Sequence, residues 1–143
     1  MEELKVGWIL RRPFETQLLN YMATPLGFGH SGLVIDVKQD KVLVYHMNIS
    51  ERDEKLYGKP VIVTLDEFSP TNDHWVVDQK QVDGNELFQK AGKSQECDPE
   101  TRYSIASNNC EHIIYLLRDG EKRSPQIEKA ISIGALGIAM YKN

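Results

Sequence analysis

Short apolar runs separated by polar turns occupy the first half of the chain, and helical spacing takes over in the second. Leu4–Leu10 (LKVGWIL) predicts a strand closed by Arg11-Arg12-Pro13, since proline brings no amide hydrogen to a ladder. A loop or short helix follows through Leu18–Met22. Leu33–Val37 and Val42–Tyr45, parted by the polar Lys38-Gln39-Asp40-Lys41, predict a hairpin. Val61–Leu65 and Trp75–Val77 supply further strands, with Ser69-Pro70-Thr71-Asn72-Asp73 as turn chemistry between them. The pattern predicts one antiparallel sheet of four or five strands.

After Gly84 the character changes. Glu86–Ala91 favours helix, and Cys97–Thr101 holds a proline-bearing turn. Asn109 is placed as an N-cap, Cys110 as the first helical residue and Gly120 as the terminator. Ile113, Ile114 and Leu117 follow Cys110 at helical offsets, so the thiol shares the face that packs on the sheet while His112 points elsewhere. The expected fold class is α+β, the antiparallel sheet first and a helix bearing Cys110 after it.

Composition narrows the function. A chain of 143 residues with 41% hydrophobic and 27% charged residues has the balance of one compact domain. Its net charge of -4 argues against nucleic acid as a partner, because phosphate binding needs a concentrated basic surface. Two cysteines without CxxC spacing, and no leader pattern at the start, fit reduced thiols in the cytoplasm. They also make a poor metal site, so neither metal nor cofactor is expected.

A cysteine in the first turn of a helix meets unpaired amides and the positive end of the dipole, both of which favour thiolate. Such a nucleophile needs a base. His30 follows the glycine-rich Gly27-Phe28-Gly29 and opens the first hairpin strand, whereas His46 closes the second. With the turn near Gln39, both histidines stand at the same end of neighbouring strands, so that one can orient the other. Cys110, His30 and His46 are therefore the candidate catalytic residues. Taken singly, each has a plainer reading as a core cysteine or a strand-edge histidine. His74 and His112 read as structural, and Cys97, between Glu96 and Asp98, as unreactive.

Asn109-Cys110-Glu111-His112 resembles the NC box of the lecithin:retinol acyltransferase-like family, and the chain is most similar to its small phospholipase A/acyltransferases. Arg102-Tyr103-Ser104, Ser107, Leu117-Arg118, Gly120 and Arg123-Ser124 fall where those enzymes carry similar residues. Gly7-Trp8-Ile9-Leu10 and Arg12-Pro13-Phe14 resemble the family's first strand, and Gly29-His30 its H box. The resemblance implies Cys110 as nucleophile, His30 as general base, His46 as the orienting histidine, and a circularly permuted papain-like fold. Two departures stand out: Ser31 replaces an aromatic residue, and the His30–His46 hairpin is a few residues longer than is usual.

The activity implied is that of a phospholipase A or acyltransferase acting on glycerophospholipids through an acyl-thioester on Cys110. Residues 1–126 would form the catalytic domain and residues 127–143 an apolar segment. Ala130–Tyr141 holds a dozen uncharged residues, short of the roughly 20 that span a bilayer, so it either packs on the domain or lies on a membrane surface. The resemblance favours membrane contact, hence a cytoplasmic protein peripherally bound to membrane. Two other readings use the same residues: a non-catalytic interaction module retaining the H-box/NC-box fold, as in related picornaviral proteins, and a cysteine peptidase or amidase.

Overall fold

A computed structural model of the chain describes residues 3–14, 29–104 and 108–132. Its strands are β1 (Ile9–Arg12), β2 (His30–Lys38), β3 (Lys41–Arg52), β4 (Lys55–Thr64), β5 (Trp75–Asp78) and β6 (Thr101–Arg102). They form one sheet in the order β5-β1-β2-β3-β4-β6, antiparallel throughout. The helices are α1 (Leu65–Phe68), α2 (Gly84–Cys97) and α3 (Cys110–Asp119), and residues 125–132 are also helical. The chain is thus an α+β domain in which sheet precedes the Cys110 helix. The expected loop or helix at Leu18–Met22 and most of the apolar segment Ala130–Tyr141 lie outside the described residues.

The sheet is wider than the apolar runs predict because β3 and β4 extend far beyond them. Arg52 pairs with Lys55 around Asp53 and Glu54, which take φ of 53° and 62°. That two-residue turn matches the strand twist without a glycine.

Alternation along β2 sends its side chains to two cores. Leu33 and Ile35 join Ile9, Tyr45, Leu87, Ala91, Ile114 and Tyr115 beneath α2 and α3. Val34 joins Trp8, Leu10, Val44 and Phe68 on the other side. Coverage on both faces explains why Leu33, Val34 and Ile35 form a continuous apolar run. Phe68 is delivered by α1, whose Thr64 and Glu67 complete a capping box. It lies directly over Gly32, where a Cβ would come within 2.7 Å of its ring.

Helix α3 starts and stops as its sequence predicts. The Asn109 side chain accepts from the amides of Glu111 and His112, at 2.9 and 3.1 Å, and His112 Nδ1 accepts from the Asn109 amide at 3.0 Å. His112 is therefore a capping residue. At the other end Gly120 takes φ 74°, the left-handed cap that glycine adopts without strain. Arg118 ties the helix to the sheet by donating to both carboxylate oxygens of Asp78, at 2.8 and 3.0 Å, and to the Gly7 carbonyl at 2.9 Å.

Candidate active site

The hairpin register brings the two histidines together. Gly32 pairs with His46, so His30 and His46 project from the same face at the same end of β2 and β3. His30 Nε2 and His46 Nδ1 lie 2.9 Å apart. Phe68 stacks on His30 and meets His46 edge-on, with centroid separations of 5.9 and 5.3 Å. Phe14 borders His30 from another side.

Burial holds both imidazoles neutral. It drives the His30 pKa well below the ordinary 6.5, helped by the charges of His46 and Arg12. The same cause, with Arg12 second, brings His46 down to about 4. In the tautomer where His30 Nε2–H donates to His46 Nδ1, the other ring nitrogen of His30 keeps its lone pair. That nitrogen, Nδ1, is buried and has no hydrogen-bond partner among the described residues.

Cys110 reaches the sheet from the α3 side, into a cluster with Phe14, Met47, Leu56 and Tyr103. The Val34 amide donates to the Trp8 carbonyl just before β1, so the amides of Leu33 and Ser31 face β3. Strand pairing with β3 begins only at Gly32↔His46, which leaves the Ser31 amide one step beyond the ladder. It donates instead to Cys110 Sγ at 3.4 Å. The sulfur therefore sits where the ladder opens, beside the peptide that joins His30 to Ser31.

The thiolate expected from the helix start is not the resting form. Cys110 is 1% exposed, and burial pushes its pKa up, with the Glu111 charge adding to that, against the Ser31 amide, the Tyr103 hydroxyl and Arg11. Tyr103 O–H reaches the sulfur at 3.9 Å, and its own pKa is raised by burial and then by Cys110. Among the described residues, neither histidine is hydrogen-bonded to Sγ. The resting pair is a neutral thiol and a neutral imidazole.

A cavity of about 450 Å³ opens over the histidines, lined by Arg12, Phe14, His30, His46, Met47 and Val61 among others. Cys110 does not line it. A smaller, largely apolar cavity of about 220 Å³ lies on the α3 side against Met47, Ile113 and Leu116. Among the described residues no group of three or more His, Cys, Asp or Glu side chains is arranged to hold a metal ion. No helix among them is long and apolar enough to cross a membrane.

Three contributors escape a reading of the sequence alone. The Ser31 amide acts through its backbone, and nothing in the side-chain pattern marks it. Glu111, fully buried, accepts from Arg11 at 2.7 Å, from Ser124 Oγ at 2.8 Å and from the Gln126 amide at 2.9 Å. A carboxylate on the packed side of an amphipathic helix is a signal that it is paired, but its partners come from distant segments. Gln126 is the third. Comparison of the chain with protein-family models, curated proteins and solved structures finds no match.

Proposed function

We propose that the protein is a cysteine-dependent phospholipase A or acyltransferase with Cys110 as nucleophile, His30 as base and His46 as the residue that orients His30. The observation carrying this reading is the state of His30. Its Nε2 is engaged by His46 while its Nδ1 is buried without a partner among the described residues, and its peptide adjoins the Ser31 amide seated on the Cys110 sulfur. An imidazole fixed at one nitrogen and open at the other has the form of a general base awaiting a proton.

In the reaction, His30 Nδ1 takes the Sγ proton and the thiolate attacks the ester carbonyl of a glycerophospholipid. Collapse of the tetrahedral intermediate breaks the carbonyl–oxygen bond, and His30 protonates the departing lysolipid oxygen. Water or a lipid amine then attacks the thioester, with His30 taking its proton, and the acyl product leaves as Cys110 regains its thiol. The Cys110 amide at the start of α3 is a fixed donor for the oxyanion. No cofactor enters. His30 stacks on Phe68 on one face of the sheet while Cys110 comes from the α3 face to the open edge at Ser31, so the bond between Nδ1 and Sγ has to form there when substrate binds.

The substrate class, peripheral attachment to membrane in the cytoplasm and descent from a permuted papain-like fold rest on the resemblance in Asn109–His112 and Gly29-His30. A second reading, a non-catalytic module, draws on one observation: the sulfur is buried, held as a thiol and bonded to Ser31 and Tyr103. Intact-mass measurement after incubation with phosphatidylcholine vesicles separates the two. An acyl adduct that maps to Cys110 and disappears on dilution into water supports the enzyme. Its absence, with no lysolipid formed, favours the module.

A further inference from the structure

We infer that Gln126 is the positioning residue of the base, clamping the strand start that carries His30 to the helix that carries Cys110. The inference rests on the proposed roles of those two residues. The backbone groups of Ser31 in β2 and of Gly29 just before it both face β3, yet the ladder with β3 begins only at Gly32. The two positions that flank His30 therefore lack a partner on β3, while β1 pairs with His30 and Ser31 along the other edge. Sγ of Cys110 serves the Ser31 amide. The carboxamide of Gln126 serves Gly29 completely: its Oε1 accepts from the Gly29 amide at 2.8 Å and its Nε2 donates to the Gly29 carbonyl at 3.2 Å. One side chain thus reproduces both hydrogen bonds of a neighbouring strand.

The clamp is anchored on the nucleophile's own helix. The Gln126 amide donates to Glu111 Oε1, and Glu111 directly follows Cys110. The same oxygen accepts from Ser124 Oγ, which in turn accepts from Asn109 Nδ2 at 3.1 Å. The second oxygen of Glu111 accepts from Arg11 of β1. Asn109 and Glu111, which flank Cys110, are therefore joined through Ser124 and Gln126 to Gly29, the residue before His30, by buried hydrogen bonds. Gln126 is the member whose side chain bonds the residue before His30, and it is itself buried. A carboxamide is the one side-chain group with an acceptor and donor spaced to pair with a peptide edge. Neither alanine nor glutamate can do so.

The test compares the pH profile of Cys110 alkylation by iodoacetamide in wild type, His30→Ala and Gln126→Ala, with hydrolysis of a dispersed short-chain phosphatidylcholine measured alongside. A merely structural role would lower the melting temperature and leave the profile in place. The expected result is that Gln126→Ala folds, adopts the His30→Ala profile, and loses about tenfold to a hundredfold in kcat with little change in KM, as a misplaced base should. Gln126→Glu keeps the acceptor for the Gly29 amide and loses the donor, so its profile should fall between. That variant also carries the comparison if Gln126→Ala does not fold. Should His30→Ala change the profile while both Gln126 variants retain the wild-type one, the clamp is overturned and the Cys110–His30 pairing stands. Should His30→Ala itself leave the profile unchanged, the pairing fails and the clamp falls with it.

Discussion

His30 and His46 share a single hydrogen bond and are buried deeply enough that both rings stay neutral at pH 7. The unfolded chain has no such restriction, so between its ordinary pKa near 6.5 and the folded value of about 4 it binds more protons at His46 than the native state does. Stability is therefore full above pH 6.5 and falls as the pH drops towards 4, by on the order of 3 kcal/mol for His46 alone. His30 acts in the same direction. Urea unfolding midpoints measured at pH 7 and pH 5 should differ accordingly, and His46→Phe should flatten the slope. A wild-type midpoint independent of pH across this window would mean that the rings are charged or exposed.

Cys110→Ser should leave the fold intact, because a hydroxyl can accept the Ser31 amide in place of the sulfur. Turnover should drop by roughly 10³-fold or more, the scale seen when a nucleophile is removed. Retained lysolipid production in this variant would eliminate Cys110 from the chemistry.

Gly32→Ala is expected to disturb the site without touching a catalytic group. The added Cβ would lie 2.6 Å from Val44 Cγ1 and 2.7 Å from Phe68, so Phe68 must move off both histidine rings. Overpacking of this kind costs about 1–3 kcal/mol. A crystal structure of the variant with Phe68 unmoved would contradict the packing described.

Arg118 and Asp78 couple α3 to β5. Burial opposes the Asp78 charge, but hydrogen bonds from Arg118, the Lys80 amide and Tyr115 hold its pKa at about 2. Removing one partner of a fully buried pair costs about 3–5 kcal/mol and of an exposed one about 0–1 kcal/mol, so Arg118→Ala in this part-buried pair should lower stability by about 1–3 kcal/mol. A loss below about 1 kcal/mol would show that water replaces the guanidinium and that the pair behaves as a surface one.

Removal of Ile131 to Asn143 keeps Ser124 and Gln126 and should leave the domain folded and active on dispersed lipid. Ile131 is 65% exposed, and an apolar segment that follows it is suited to a membrane surface. Buried methylenes contribute about 0.8 kcal/mol each to membrane binding, so activity on vesicles should fall sharply. Equal activity on both forms of lipid would rule out an anchor, and unfolding would show that the segment belongs to the core.

Much of this arrangement is legible in the sequence where the signal is local. Asn109, Cys110 and Gly120 mark the limits of α3 by capping chemistry, and the polar break at Lys38–Lys41 fixes the hairpin that brings His30 to His46. The long β3–β4 hairpin is not legible, because its turn uses Asp53 and Glu54 in a conformation that the usual Asn-Gly or Asp-Gly signal announces. The protonation of Cys110 is misread for a different reason. Helix position favours a thiolate, but burial opposes it, and burial depends on Phe14, Met47, Leu56 and Tyr103 arriving from four separate segments. Gln126 is silent in the sequence because its role is set by an unpaired edge 97 residues away.

That distance along the chain has a kinetic consequence. The contacts closing the site join Gly29 to Gln126 and Arg11 to Glu111, 97 and 100 residues apart, whereas the β2–β3 and β3–β4 hairpins and α3 form from neighbours. Long loops must be closed before such contacts repay their entropy, so local elements assemble first and distant pairings late. On that ground the histidine pair, made within one hairpin, is expected to form ahead of the junction that brings Cys110 to Ser31. Refolding followed by pulsed alkylation of Cys110 should accordingly show the thiol becoming protected only after the hairpin amides are.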